Sequence, residues 1–207
     1  MLEGIDIVWL GHDTFRIKSD GKVIYTDPFR LPDGLPKADL VLVTHEHYDH
    51  FSPEDLKKIT TKETVIVLPE KCDGKTEGRL KRVSAGDTLT EAGVAIEVVR
   101  SYNTNKQFHP KSNDWVGYIF TVGGKRIYLA GDTDHIPEMK GYRCDIAILP
   151  VSGTYTMTAE EAVKAAEDIG PAVAVPMHYG TIVGTEDDAQ RFARLYKGRS
   201  HVFTKAG

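Results

Sequence analysis

The chain has 207 residues, 41% apolar and 27% charged, with a net charge of −4; that suffices for one substantial core and is ordinary for a globular protein. No apolar stretch reaches the ~20 residues of a membrane span, and the opening "MLEGIDIVWLGHD" has neither the basic nor the long apolar region of a signal peptide. Two distant cysteines outside any CxxC pair, Cys72 and Cys144, argue against a disulfide framework and for a cytoplasmic location, while the acidic balance argues against a dedicated nucleic-acid binder.

In chain order the first clear unit is a hairpin, "TFRIK" and "VIYT" flanking Ser19-Asp20-Gly21. A buried-looking strand, "ADLVLVTH", follows, then a helix with Ser52 as N-cap, Pro53 at its first position and an acid at its third. A second hairpin, "WVGYIFTV" and "RIYLA" around Gly123-Gly124, is followed by the strand "CDIAILPV" and a helix capped by Thr158 with Glu161 in the third position. The same order of hairpin, strand and capped helix therefore occurs twice. It suggests one domain, 1–207, built from two similar halves of about 1–110 and 111–207. Two mixed sheets packed face to face with helices outside, an α/β architecture, is the natural result. A last helix is expected from Thr185 to near Gly198, burying Ala189, Phe192, Ala193 and Tyr196.

Polar side chains able to bind a metal follow four apolar runs. Asp27 ends "KVIYTD", His45 ends "LVLVTH", Asp132 ends "RIYLAGD" and His178 ends "AVAVPMH". Carboxyl ends of strands are where α/β proteins place their sites. The richest stretch is "HEHYDH", where His45 and His47 share one face of an extended segment while Asp49 and His50 lie a turn further on. Imidazole and carboxylate suit zinc and other first-row divalent ions rather than calcium or magnesium. With Asp132, His178 and a histidine from the middle of the chain, the candidates outnumber one open zinc site and suit two adjacent metals that share a carboxylate.

These residues resemble the metallo-β-lactamase-fold hydrolase superfamily, whose ordered motifs match Asp27, His45-Glu46-His47-Tyr48-Asp49-His50, His109, Asp132 in "AGDTD" and His178 in "PMHYG". The segments "WLGHDTF", "FHPKSNDWVGY" and "GDTDHIPEM" look closest to the small prokaryotic metal-dependent hydrolases of this fold. Relatives of that group include ascorbate-6-phosphate lactonase and N-acylphosphatidylethanolamine phospholipase D. The resemblance implies a four-layer αββα sandwich. It also implies one metal on His45, His47 and His109, and a second on Asp49, His50 and His178. Asp132 would bridge the two, and Asp27 would stand behind the histidine loop. His109 is the sole histidine between His50 and His135. Asp27 reads equally well as a turn acid before Pro28.

Four residues sit less firmly in this scheme. His12 either supports the metal loop, contacts substrate or is structural, and His135 follows "GDTD" closely enough to reach the cleft. Tyr155 and Tyr179 either bind a substrate oxygen or simply pack. The chemistry expected is hydrolysis of a phosphodiester, lactone or related ester by water activated between two divalent ions, most naturally zinc, with manganese or iron as alternatives. Asp49 would orient that water as well as bind metal. A mononuclear-iron dioxygenase, or nuclease-type processing by the same site, is the competing reading. The partner expected is a small-molecule substrate, and a homo-oligomer is compatible with the sequence. Specificity would lie in loops such as 31–37, 72–79 and 103–111.

Overall fold

The computed structural model describes residues 1–74 and 76–206. Lys75, within one of the candidate specificity loops, and the final Gly207 lie outside the described residues. Strands β1 (Asp6–Gly11), β2 (Thr14–Ser19), β3 (Lys22–Thr26), β4 (Leu40–Leu42), β5 (Val65–Pro69) and β6 (Arg79–Val83) form one sheet in sequential order. The second sheet holds β7 (Thr88–Glu91), β8 (Val94–Arg100), β9 (Val116–Val122), β10 (Lys125–Leu129), β11 (Ile146–Pro150) and β12 (Val173–Met177), again in sequential order. Helix α1 (Pro53–Ile59) belongs to the first half, and α2 (Ala159–Ile169) and α3 (Glu186–Leu195) to the second. The chain changes sheet between Val83 and Thr88, earlier than the half boundary expected near residue 110, because β8 pairs with β9 along its length.

Alternation along the central strands explains the layering. Leu40, Leu42, Val65 and Val67 join the large core that also takes in the inner residues of the second sheet, such as Ile96, Val98, Tyr118 and Phe120. Their neighbours Val41, Val43, Ile66 and Leu68 point the other way and pack with Leu56 and Ile59 of α1. Period-two burial on both faces is what a sheet covered on both sides requires. The αββα sandwich expected from the resemblance is thus the fold of the chain. No helix among the described residues is long and apolar enough to cross a membrane.

Both expected hairpins are present, with Asp20 and Gly21 in one turn and Gly123 and Gly124 in the other at positive φ. The two turns meet: Gly123 N–H donates to Asp20 Oδ2 at 2.8 Å. A Cβ at Gly123 would sit 2.6 Å from Ser19 Oγ, so this turn needs glycine for closeness as well as for φ. Ser52 caps α1 and Thr158–Glu161 forms a reciprocal capping box on α2. Helix α3 stops at Leu195, short of Gly198, because Tyr196 takes an extended conformation that stacks its ring on Phe192. Strand β4 is shorter than its apolar run. Val43 N–H still bonds Val67, but Thr44 N–H turns to the Asp27 carboxylate and leaves the ladder.

Strand direction positions everything that follows. β3 and β4 are parallel, as are β10, β11 and β12. β1 reaches β3 through two antiparallel pairings, and β8 reaches β10 in the same way. The carboxyl ends of all seven strands therefore open on one edge of the sandwich.

Candidate metal centre

Each strand of that group delivers a polar side chain to the edge. β1 ends at His12 and Asp13, β3 at Asp27, β4 at the 44–50 loop, β8 at the loop carrying Asn103 and His109, β10 at Asp132, β11 at Ser152, and β12 at His178. His12, Asp27 and His178 all hold positive φ, a conformation that costs of order 1–3 kcal/mol in a non-glycine residue and concentrates at functional sites. Gly131, also at positive φ, lets the two sheets' loops meet: a Cβ there would lie 2.9 Å from that of Thr44.

Asp27 anchors the histidine loop. Its Oδ1 accepts from Thr44 N–H at 2.7 Å, and its Oδ2 accepts from Thr44 Oγ1 at 2.8 Å and from His50 Nδ1 at 2.9 Å. Because a carboxylate only accepts, the His50 proton is drawn to Nδ1 and the Nε2 face is left toward the cluster. Burial pushes the Asp27 carboxyl up, against the pull of His50.

Two groups of ligand-type atoms converge here. His45, His47 and His109 form one, with nitrogens within 4.8 Å of one another; His12, Asp49, His50 and His178 form another on the same criterion. Asp132 lies between them. Its Oδ2 is 3.1 Å from both His109 Nε2 and His178 Nε2, and its Oδ1 is 3.5 Å from His50 Nε2. Yet His50 Nε2, His109 Nε2 and Asp132 Oδ1 are buried with no aligned hydrogen-bond partner among the described residues. A buried polar atom left unpaired costs ~1–3 kcal/mol, and several facing one another fit the donor set of a divalent ion.

Electrostatics keeps two of these histidines as neutral donors and gathers protons on two others around Asp132, the positive charge that a bound cation would replace. Burial drives His45 well below its ordinary value and lowers His47, so both stay neutral and keep a lone pair at pH 7. Burial opposes charge on His50 and His178, but Asp132 outweighs it, together with Asp27 for His50 and Asp13 for His178, and both titrate above the usual imidazole range. Burial likewise opposes the Asp132 anion, and the charges of His178 and His50 reverse the balance, holding its carboxyl well below the ordinary range.

The seven expected ligands are thus brought together; His12, one of the less firmly placed candidates, joins them, and the structure adds Asp13, Trp115 and Asn103 to their surroundings. His12 Nε2 lies 3.0 Å from Asp49 Oδ2; burial takes His12 down to about 4, so it meets Asp49 as a neutral donor. For Asp49 burial raises the carboxyl, but the His12 hydrogen bond and His50 hold it at about 2. Asp13 was not anticipated. It is fully buried, neither oxygen has a hydrogen-bond partner among the described residues, and it shares a group with Asp132 and His178. Desolvation pushes it to about 8. The signal for Asp13 was its place beside His12 at the end of an apolar strand. Trp115, also unforeseen, lays its ring 4.8 Å from His45, 4.7 Å from His47 and 5.3 Å from His109. Its Nε1–H donates to Glu46, which explains the acid within the motif. Asn103 Oδ1 accepts from His109 N–H at 2.8 Å and fixes the incoming loop.

Tyr155 lines a cavity of about 280 Å³ over the cluster, together with His47, Asp49, His109 and Asp132. His135 and Tyr179 are not brought there. His135 Nε2 pairs with Asp168 at 2.7 Å on the flank of α2, and Tyr179 is buried against Trp9, its hydroxyl on Phe203 O.

Residues 6–178 match the model of the beta-lactamase superfamily domain. The UPF0173 metal-dependent hydrolase of Methanopyrus kandleri is 33% identical over 91% of this chain and 90% of its own length. A crystal structure from Parabacteroides distasonis, assigned to the metal-dependent hydrolases, superposes with a TM-score of 0.85 at 34% identity, covering 98% of this chain and 94% of the other. One from Thermotoga maritima, assigned to the zinc-dependent hydrolases, gives 0.66 at 25% identity over 96% and 97%.

Proposed function

The chain belongs to the beta-lactamase superfamily and is a metal-dependent hydrolase, and from that premise we propose a two-ion centre that cleaves a phosphodiester, lactone or related ester of a small molecule. His45, His47 and His109 would hold one ion, and Asp49, His50 and His178 the other, with Asp132 shared. The observation that carries this reading is the Asp132 carboxylate, within 3.1–3.5 Å of imidazole nitrogens from both groups. An all-nitrogen set beside a mixed nitrogen–oxygen set suits zinc, with manganese and iron also compatible.

Divalent ions so held would lower the pKa of water toward neutrality and stabilise charge developing on the substrate. The protein's own part is orientation. Asp49, ionised and held by His12 through Oδ2, would accept a proton of the attacking water. Neutral His12 keeps that carboxylate from rotating. Asp27 fixes the tautomer and direction of His50. Trp115 screens the all-histidine group from bulk water on one side.

Metal analysis after purification under anaerobic, metal-supplemented conditions is expected to return close to two equivalents per chain, with hydrolysis of at least one phosphodiester or ester in a panel. A single tightly held iron, with oxygen uptake and no hydrolysis, would transfer the protein to the dioxygenase reading.

A further inference from the structure

The mouth above the cluster is apolar. Six large hydrophobic side chains are exposed among the described residues, and three of them, Tyr48 (66%), Phe108 (52%) and Ile182 (36%), line this one cavity with Tyr155. Exposed apolar groups gathered at a pocket rather than scattered mark a binding surface. Phe108 and Tyr155 brace each other edge to face at 4.7 Å, and Tyr48 rests likewise on Phe29 at 5.8 Å. Among the described residues no lysine or arginine lines the cavity, whose floor carries the carboxylates of Asp49 and Asp132. The lysines of the loop that bears Phe108 are engaged elsewhere, Lys106 with Asp134 at 2.7 Å and Lys111 with Glu138 at 3.2 Å. Arg30 stacks over Phe29 instead.

We propose that the substrate is an uncharged carboxylic ester or lactone carrying an apolar acyl or aryl group that fills the space between Tyr48, Phe108, Tyr155 and Ile182; this rests on the hydrolase reading and narrows it. The ions held on the floor would meet a phosphodiester's charge as readily as an ester oxygen, but the described lining of the cavity is an apolar rim with no guanidinium or ammonium of its own to favour an anion over a neutral ester. In the reaction the oxygen of water bonds to the acyl carbon and the acyl C–O bond breaks. One water proton ends on the departing alkoxide, leaving a carboxylic acid and an alcohol. The cavity of about 280 Å³ has room for roughly nine groups of water size; with the ester atoms taking about two of these, roughly six to eight heavy atoms of the apolar part remain.

The test uses metal-loaded full-length protein. Turnover is measured on p-nitrophenyl esters from acetate to decanoate and on bis(p-nitrophenyl) phosphate, and binding is measured by calorimetry with the matching unbranched amides, which resist hydrolysis. We expect kcat/KM and amide affinity to rise about fourfold per methylene, the ratio that ~0.8 kcal/mol per buried CH2 gives, and to level off near octanoate. Phe108→Ser and Ile182→Ser should flatten that rise. A flat chain-length series, or faster cleavage of the phosphodiester, overturns the substrate class and leaves the hydrolase reading standing. Amide affinity that climbs with chain length, with no turnover of any substrate by protein holding its metals, supports the apolar pocket and overturns the hydrolase reading instead.

Discussion

Asp27→Asn should weaken the ion held by His50 by ~10–100-fold, the usual effect of removing a hydrogen-bond partner behind a metal ligand, while the His45, His47 and His109 group is little changed. The reason lies in the three bonds the Asp27 carboxylate accepts, from Thr44 N–H, Thr44 Oγ1 and His50 Nδ1. An amide has one acceptor oxygen. It can serve Thr44 N–H, and Thr44 Oγ1 can accept from the amide NH2 that replaces Oδ2. His50 then faces an NH2 group, and its proton moves to Nε2, the atom 3.5 Å from Asp132 that must donate a lone pair. Losing the carboxylate also removes one of the charges that hold the His50 proton. Proton competition in the wild type is therefore strongest at low pH, and the defect should widen as pH rises. Asp27→Ala goes further, orphaning buried donors, at a cost of roughly 3–5 kcal/mol or on the order of 10 °C in the melting temperature of the ion-free protein. Chelator competition at two pH values, with thermal melts of ion-free samples, measures both effects. Wild-type affinity at both positions in a folded Asp27→Asn protein would refute the reasoning.

Asp132→Ala should lower affinity for both ions, whereas His178→Ala should release one equivalent and spare the other, as counted by metal analysis after dialysis. Asp49→Asn, in metal-replete protein, is expected to reduce kcat by ~10² or more with a smaller change in KM; steady-state kinetics decides it, and near-normal turnover would remove Asp49 from its role. Glu46→Gln should be mild, since an amide oxygen still accepts from Trp115 Nε1–H, so a crippled variant would mean that Glu46 does more than hold that ring. Asp13, raised from an ordinary 3.8 to about 8, ionises in the unfolded chain before it does in the fold, and so subtracts stability increasingly from pH 4 to pH 8. Asp13→Asn removes that penalty, so its melting temperature without metals should gain on the wild type across this range and hold steady above it. A pH-independent difference would contradict the assigned shift.

Local chemistry made a good part of this protein legible from its residues alone. Asp20-Gly21 and Gly123-Gly124 turn hairpins because the φ they adopt is set within the turn itself. Ser52 and Thr158 cap helices by bonding N–H groups three residues on. Four of the seven expected ligands stand within six residues, His45 to His50, so their proximity needs no tertiary contact. Strands β5 to β8 were not delineated by those signals, since "VIVLP" is apolar on both faces and "RLKRV" is mostly polar, and neither pattern alone separates strand from other structure.

The convergence of residues distant in the chain depends on which strands are neighbours and which way they run. The parallel pairings carry Asp27, Asp132 and His178 to one edge, and two antiparallel steps bring His12, Asp13 and His109 to the same side. Trp115 reaches three histidines through the same arrangement, while Tyr179, one residue past His178, faces the core. His135 sits three residues after Asp132 and yet bonds Asp168. Sequence distance governs caps and turns because their bonds close within a few residues. The cluster at the edge joins residues from across the chain, and its geometry exists only once both sheets have stacked.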